Sequence, residues 1–156
     1  VEEVIYKNEK ISSTRIRKLL ELGSLEDIPM LLGHPYCISG KVVAGRHIGH
    51  SIGFPTANVD YHSYLLPKRG VYAVRFYVGN QVYMGMCNIG YNPTFTALNH
   101  TSLEVYILDF NENIYDQKVK VEFYTMIRLE TSFETKEKLI QQLTLDEKYV
   151  RLYFKE

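Results

Sequence analysis

The sequence predicts a mainly β protein: a small antiparallel six-stranded barrel of Greek-key type, with a C-terminal α-helix and short N-terminal helices. From residue 36 to residue 127 the chain is rich in Val, Ile, Tyr and Phe, and glycine and asparagine turns interrupt it at short intervals. Segments with helical periodicity lie before and after this stretch. Because strands and helices do not alternate, a parallel sheet with crossover helices is not expected.

The composition is that of an ordinary globular domain without an overall field for a charged partner. Among 156 residues, 18 Lys and Arg balance 18 Asp and Glu, so neither nucleic acid nor an anionic membrane is an expected partner. No apolar run is long enough to span a bilayer, and no signal peptide is visible. The two cysteines, Cys37 and Cys87, indicate neither a disulfide framework nor a metal cluster. We therefore expect a cytoplasmic protein that binds any anionic ligand at a local site.

Two short helices are predicted at the N-terminal end. The segment 12–14, Ser-Ser-Thr, offers N-cap residues for the first helix, and Gly23 is placed to end it. Ser24 with Asp27 resembles a capping box that opens a second helix, which ends at Gly33.

Six strands are predicted from the alternation of apolar and polar residues and from turn residues. They span residues 36–44, 56–59, 70–78, 81–88, 101–109 and 118–127. Gly79-Asn80 is a two-residue turn signal, so the strands on either side of it should form a hairpin. In the last strand, valine and phenylalanine alternate with lysine and glutamate, which is typical of a strand with one face in water.

A final helix is predicted over residues 134–153, where the period of the apolar residues lengthens. The residues on its apolar face are Leu139, Leu143, Val150 and Tyr153. The pattern does not decide whether the helix continues through Thr144.

The segment GRHIGHSIGFPTAN, residues 45–58, combines several glycines with a threonine and an asparagine. Glycine lets the backbone approach phosphates, although glycines in a β protein more often mark bulges and turns. Thr56 and Asn58 are two residues apart on a predicted strand, so their side chains share a face. Their neutral oxygens suit Mg²⁺, and the same residues are equally explained as capping and turn residues.

The sequence contains five segments in this order: GKVVAGRHIGHSIGFPTANV, LLPKRGVYAV, MCNIGYNPTF, LEVYILDF and MIRLETSFETKEKLIQQLTLD. Together they resemble the riboflavin kinase family over residues 34–148, specifically the kinase module of bacterial bifunctional riboflavin kinase/FAD synthetases. The segment ISSTRIRKLLELGSLEDIPMLLG resembles the final helices of the FMN adenylyltransferase module that precedes the kinase in such proteins. The resemblance implies a helical remnant over residues 1–32, a kinase domain over residues 33–156, and an N-terminal adenylyltransferase module in the parent chain.

The resemblance also implies a function: Mg²⁺-dependent transfer of the γ-phosphoryl group of ATP to the ribityl 5′-hydroxyl of riboflavin, giving FMN and ADP. Glu104 matches the family's catalytic glutamate, and Thr56 with Asn58 would hold the metal ion. The implied nucleotide- and phosphate-binding residues are Gly45, Gly49, His50, Ser51, Gly53, Thr56 and Asn58. The intact parent protein would also adenylylate FMN to FAD.

Several of these residues have plainer explanations in the sequence. A strand glutamate such as Glu104 is more often a solvent-facing residue. The resemblance implies that Asn88, Arg128 and Glu130 bind the flavin. A surface ion pair of Arg128 with Glu130 or Glu134, which would contribute little stability, explains this arginine equally well.

The tetrapeptide His47-Ile48-Gly49-His50 has the H-x-G-H form with which nucleotidyltransferases hold ATP phosphates. In those enzymes it precedes I-S-S-T-x-x-R, whereas here it follows that segment and lies within a predicted β region. We therefore interpret it as a coincidence. The family usually carries a basic residue, commonly arginine, at His50; histidine is only partly charged near neutral pH, so we expect a weaker or pH-dependent phosphate contact there. Tyr106 stands where many bacterial relatives carry histidine.

The alternative function is a non-catalytic flavin- or nucleotide-binding barrel that serves as the partner of an adenylyltransferase module. The joint presence of Thr56, Asn58 and Glu104 disfavours it, because a protein that only binds its ligand needs no general base.

Overall fold

The computed structural model of the protein describes residues 4–6, 9–11, 13–44, 53–92 and 100–155, with side chains described from residue 14 onward. Within these residues, six strands close into a barrel, and two shorter strands form a second, antiparallel sheet. The shorter strands are β1 (Val4–Tyr6) and β2 (Glu9–Ile11). The barrel strands are β3 (Tyr36–Val43), β4 (Ala57–Val59), β5 (Gly70–Val78), β6 (Gln81–Tyr91), β7 (Thr101–Ile107) and β8 (Lys118–Leu129). The helices are α1 (Ser13–Leu22), α2 (Pro29–Leu32) and α3 (Lys136–Tyr153), with a 3₁₀ turn at Leu25–Asp27.

The barrel strands are antiparallel to their neighbours and follow the order β3-β4-β7-β6-β5-β8, with β8 closing onto β3. This order confirms the predicted six-stranded antiparallel barrel. β5 and β6 form the predicted hairpin, in which Val78 pairs with Gln81 across Gly79-Asn80. Gly79 has a φ of +59°, which glycine adopts without the strain of a Cβ. β4 pairs with β7 rather than with its sequence neighbour β5, and this pairing places the GFPTAN segment beside β7.

β7 and β8 present apolar side chains to the barrel interior and mostly less buried ones to the outer face. In β7, Leu103, Val105 and Ile107 are buried in the core, while Glu104 and Tyr106 between them are half-buried on the opposite face. β8 shows the same alternation, as its sequence predicted. The polar side chains that could bind a ligand or take part in a reaction therefore lie outside the barrel, where the C-terminal helix and the loops can enclose them.

The N-terminal helices pack onto the barrel. Leu20 of α1, Leu25 of the 3₁₀ turn and Ile28, which precedes α2, are buried in the same apolar core as the barrel strands. Gly23 and Gly33 have φ values of +77° and +85° and end α1 and α2, as predicted. The boundary between residues 32 and 33 stays a prediction.

The predicted capping box at Ser24 is wrong. The Ser24 side chain makes no capping hydrogen bond, and the residues that follow form a 3₁₀ turn instead of the helix. The α-helix starts at Pro29, because proline has no N–H to leave unpaired there and its fixed φ suits the first helical position. Residue 12, one of the predicted N-cap candidates of α1, lies outside the described residues.

α3 lies across the outer face of β5 and β6. It begins at Lys136, two residues later than predicted, because the Thr135 side chain accepts a hydrogen bond of 3.1 Å from the Lys138 backbone N–H. The helix is continuous through Thr144. Leu143 and Val150 pack against an outer apolar cluster of the barrel, as the helical pattern predicted. A cleft remains where the helix and the barrel diverge.

Both cysteines are free thiols, as expected, and burial raises the pKa of Cys87 well above its ordinary value. None of the helices in the described part of the chain is long and apolar enough to cross a membrane.

Candidate active site

One row of paired residues crosses five strands of the barrel. Asn58 pairs with Glu104, and Glu104 pairs with Asn88 on its other side. Asn88 in turn pairs with Val71, and Val71 pairs with Arg128. Directly paired residues of antiparallel strands project to the same face of the sheet. The row therefore places four of the predicted site residues side by side, although up to 70 positions separate them in the sequence.

Glu104 is held through both of its carboxylate oxygens. The Thr56 hydroxyl donates to Oε1 at 3.1 Å, and the Ser102 hydroxyl donates to Oε2 at 3.0 Å. Among the described residues, no lysine or arginine lies within ion-pair distance of this carboxylate. Its remaining lone pairs are therefore available to a substrate hydroxyl, and Glu104 is more than the solvent-facing residue that the strand pattern alone would suggest.

Asn58 carries a buried oxygen without a partner. Its side chain is 4% exposed, and its Oδ1 atom accepts no hydrogen bond. A buried polar atom without a partner costs on the order of 1–3 kcal/mol, so such an atom in a cleft wall suits a bound ligand. In the described part of the chain, no three His, Cys, Asp or Glu residues form a metal-binding cluster. The oxygen donors beside Glu104 that also border the loop-side cleft are the neutral ones of Asn58 and Thr56, which fit a hard cation that keeps water and phosphate ligands.

Two clefts meet at Thr56. The first, which we call the helix-side cleft, has a volume of about 310 Å³ and lies between the barrel and α3. Its walls include Thr56, Asn88, Glu104, Arg128, Glu130 and Leu143. The second, which we call the loop-side cleft, has a volume of about 580 Å³ and lies against the loop between β7 and β8. Its walls include Val43, Thr56, Asn58, Phe110, Asn111 and Tyr115. Two ligands bound in these clefts would face each other across Thr56, with Glu104 on the helix side.

Tyr106 and Phe54 form an aromatic wall of the helix-side cleft. Tyr106 follows Glu104 by two residues and so shares its face, and its ring centroid lies 5.0 Å from that of Phe54. Burial raises the pKa of the Tyr106 phenol, and the nearby Glu147 raises it further. The Tyr106 side chain on this wall is therefore a neutral phenol near pH 7.

Arg128 joins the end of β8 to α3. Its Nε atom donates to both oxygens of Asp146, at 2.9 and 3.1 Å, and its Nη2 atom lies 2.8 Å from Oδ2. Asp146 is 1% exposed and also accepts a hydrogen bond of 2.9 Å from Gln142. Of the two explanations that the sequence left open for Arg128, the surface ion pair with Glu130 or Glu134 is wrong, because the guanidinium group pairs with the buried carboxylate on the helix.

Asp146 was not among the residues singled out from the sequence, although a signal for it exists. Positions 143, 146 and 150 lie on one face of a helix, and the residues at 143 and 150 are apolar. A carboxylate on such a face must be paired when it is buried.

Glu130 is tied to β6 beside the cleft. Its Oε2 atom accepts a hydrogen bond of 3.1 Å from the Tyr91 backbone N–H. A Cβ atom at Gly90 would stand 2.3 Å from the same oxygen, so glycine at this position makes room for the carboxylate. This contact brings the segment after β8 to the edge of the helix-side cleft.

The remaining predicted phosphate-binding residues, Gly45, Gly49, His50 and Ser51, lie outside the described residues, as does the H-x-G-H tetrapeptide. Their roles stay predictions. Gly53 is described: its φ is +87°, and a Cβ atom there would meet nothing within 4 Å. Backbone conformation rather than crowding therefore accounts for glycine at this position.

The barrel, with its helix and its outer-face site, belongs to the class of riboflavin kinase-like folds. A structure of riboflavin kinase from Trypanosoma brucei superimposes with a TM-score of 0.59 over 79% of each chain, at 23% identity, which is a likeness of fold. The family model described as "Flavokinase: Riboflavin kinase" matches residues 32–154. The chain belongs to the riboflavin kinase family.

Curated relatives are longer than this chain. It is 46% identical over 148 residues to a bifunctional riboflavin kinase/FMN adenylyltransferase of Listeria monocytogenes, a match that covers 94% of the chain and 47% of the relative. A protein of the same name from Bacillus subtilis is 43% identical, with 99% of this chain and 50% of the relative covered. The chain thus spans about half the length of these relatives.

A crystal structure named "Macrolide-efflux Protein" from Streptococcus pneumoniae is also similar, with a TM-score of 0.86 and 38% identity over 97% of this chain and 50% of that one. The name describes that protein, and the family assignment of this chain rests on the family model and the curated relatives.

Proposed function

We propose that this chain transfers the γ-phosphoryl group of ATP to the 5′-hydroxyl of the ribityl chain of riboflavin, giving FMN and ADP. The observation that carries the proposal is the position of Glu104: this carboxylate has no cationic partner among the described residues, lines the helix-side cleft and accepts a hydrogen bond from Thr56, which borders both clefts. Phosphoryl transfer needs two ligands held end to end, and this arrangement supplies a place for each. Membership of the riboflavin kinase family supports the same activity.

Riboflavin occupies the helix-side cleft in this proposal. Glu104 lines that cleft, so the acceptor hydroxyl has to enter it to reach the carboxylate. Apolar and aromatic walls suit an isoalloxazine ring, and Asn88 supplies an amide that can form hydrogen bonds with a polar edge of the ligand. Arg128 is engaged with Asp146, so its contribution is to hold α3 against the flavin rather than to offer a free charge.

ATP occupies the loop-side cleft, with its phosphates toward Thr56 and Asn58. The unpartnered Asn58 oxygen and the Thr56 hydroxyl would hold Mg²⁺, which neutralises charge on the phosphates during transfer. The Thr56 hydrogen points to Glu104, so the lone pairs of its oxygen remain free for a cation.

Glu104 acts as the general base. As the riboflavin oxygen forms its bond to the γ-phosphorus, the bond from that phosphorus to the ADP oxygen breaks, and the hydroxyl proton passes to the Glu104 carboxylate. The hydrogen bonds from Thr56 and Ser102 hold this carboxylate in place before the substrate arrives.

We infer further that the parent protein carries an adenylyltransferase module, acts in the cytoplasm and converts FMN to FAD. The names of the relatives from Listeria and Bacillus, together with their roughly double length, support this inference.

The test is to incubate the chain with riboflavin and Mg-ATP and to separate the flavin products by chromatography. The proposal expects FMN and ADP in equal amounts, with no FAD from this chain alone. If riboflavin and ATP bind and no FMN forms, the chain is the non-catalytic barrel instead. FAD among the products would overturn the interpretation of the H-x-G-H tetrapeptide as a coincidence.

A further inference from the structure

We propose that Ser102 is a positioning residue for phosphoryl transfer: it fixes one oxygen of Glu104 so that the other faces the acceptor hydroxyl. This inference rests on the proposed function, because it concerns the residue that serves as the general base. Ser102 is not among the site residues predicted from the sequence.

Ser102 and Glu104 form a part-buried hydrogen bond on the outer face of the barrel. Ser102 is 1% exposed and precedes Glu104 by two residues on β7, so both side chains project to the same face. Its hydroxyl donates to Oε2 at 3.0 Å. The residue of β6 that pairs with Ser102 is Gly90, which has no side chain to compete for the hydroxyl. The Ser102 end of this part-buried hydrogen bond is out of contact with water, whereas Glu104 borders the helix-side cleft.

The two oxygens of Glu104 therefore have different surroundings. Oε1 is bonded to Thr56, the residue that borders both clefts, whereas Oε2 is bonded to Ser102 on a buried part of the strand. Glutamate has three side-chain torsions, and a single bond to Thr56 would leave the carboxylate free to turn about it. The second bond removes that freedom. Oε1 is thus the oxygen that receives the proton, because it lies on the side where the acceptor and the phosphates meet.

Positioning of this kind changes the rate of the chemical step more than the affinity for substrates. In Ser102→Ala we expect kcat for FMN formation to fall about tenfold, while KM for riboflavin and for ATP stays within about twofold. Ser102→Thr restores a hydroxyl and should recover kcat to within about threefold of the parent. A structural role alone would not produce this separation of kcat from KM or its rescue by a hydroxyl.

Two further variants keep the test sharp. Ser102→Cys fills nearly the same space with a weak donor, so it should be as slow as Ser102→Ala, and it serves if the alanine variant does not fold. Thr125→Ala is the matched control. Thr125 is also a buried hydroxyl that donates to a glutamate, Glu26, at 2.8 Å, and it borders neither cleft. Its loss should lower the melting temperature and leave kcat unchanged.

Assay of the unmodified chain distinguishes failure of the role of Ser102 from failure of the proposed function. If the unmodified chain forms FMN and the kcat of Ser102→Ala or Ser102→Cys stays within about twofold of its value, the role of Ser102 is overturned and the proposed function stands. An equal loss of kcat in the threonine and alanine variants also overturns it. If the parent forms no FMN, the proposed function fails, and the inference fails with it.

Discussion

In the proposed mechanism, Thr56 would perform two tasks with a single hydroxyl group. Its hydroxyl donates a hydrogen bond to Glu104 at 3.1 Å, and the residue borders both clefts. A hydroxyl that donates one hydrogen still has lone pairs for a cation, so the two tasks are compatible. Thr56 is therefore the link between the proposed metal site and the proposed base.

Replacement of Thr56 by valine should affect both tasks, because valine has the same shape and no oxygen. We expect the Mg²⁺ concentration for half-maximal FMN formation to rise about 10–100-fold, with a lower kcat at saturating Mg²⁺. Thr56→Ser keeps the hydroxyl and should stay within about threefold of the parent in both quantities. A Mg²⁺ titration of initial rates makes the comparison. An unchanged Mg²⁺ requirement in Thr56→Val would remove this residue from the metal site.

The Arg128–Asp146 contact joins α3 to the end of β8. The arginine side chain is 19% exposed and the aspartate 1% exposed, so the pair lies mostly out of water at the junction of β8 and α3. Three nitrogen–oxygen contacts of 2.8–3.1 Å join the two side chains. The helix-side cleft depends on this junction, because its walls include both Arg128 and residues of the helix.

Removal of the buried carboxylate should therefore be costly, since Asp146→Ala leaves the arginine charge without its partner. We expect the free energy of unfolding to fall by about 3–5 kcal/mol, measured by urea denaturation. Glu134→Ala, which breaks the exposed pair with Lys138, is the control and should change it by no more than about 1 kcal/mol. A loss below about 1 kcal/mol in Asp146→Ala would show that the pair does not hold the helix.

Local sequence signals predicted most elements, because turns and alternation depend on neighbouring residues. The hairpin at Gly79-Asn80 and the alternation of β8 are confirmed for this reason. The predicted capping box at Ser24 was wrong because its signal competes with that of Pro29, which fixes the start of the helix more strongly. Asp146 was overlooked because its partner lies 18 positions away on another element, so its burial is a tertiary property.

Alkaline stability is a property of the whole barrel. Burial of Tyr36 raises the pKa of its phenol to about 12, with a smaller contribution from the neighbouring Tyr64. The unfolded chain releases this proton near pH 10, whereas the folded chain holds it to higher pH. The stabilisation is therefore complete below pH 10 and is lost as the pH rises through about 12.

We expect the unfolding free energy of the parent to fall more steeply between pH 10 and pH 12 than that of Tyr36→Phe, which has no proton to release. Urea denaturation at several pH values measures both slopes. Tyr115→Phe, at an exposed ring, is the control and should keep the slope of the parent. Equal slopes for the parent and Tyr36→Phe would contradict the assigned role of this phenol.

The sequence predicted individual residues of the site better than it predicted how they come together. Thr56 and Glu104 were singled out, yet their contact depends on β4 pairing with β7, a long-range choice that no local pattern encodes. The same holds for Ser102, which the sequence shows only as a polar residue in a strand. The division into two clefts follows from how α3 and the β7–β8 loop pack onto the closed barrel.

The most direct measurement is the rate of FMN formation by Glu104→Gln beside the parent, with riboflavin and Mg-ATP at saturating concentrations. Glutamine keeps the shape and removes the base, so kcat should fall about 10²–10⁴-fold while riboflavin still binds. Riboflavin binding, followed by flavin fluorescence, shows that the cleft is intact in the variant. A Glu104→Gln variant that forms FMN at the rate of the parent would contradict the account of this carboxylate as the general base.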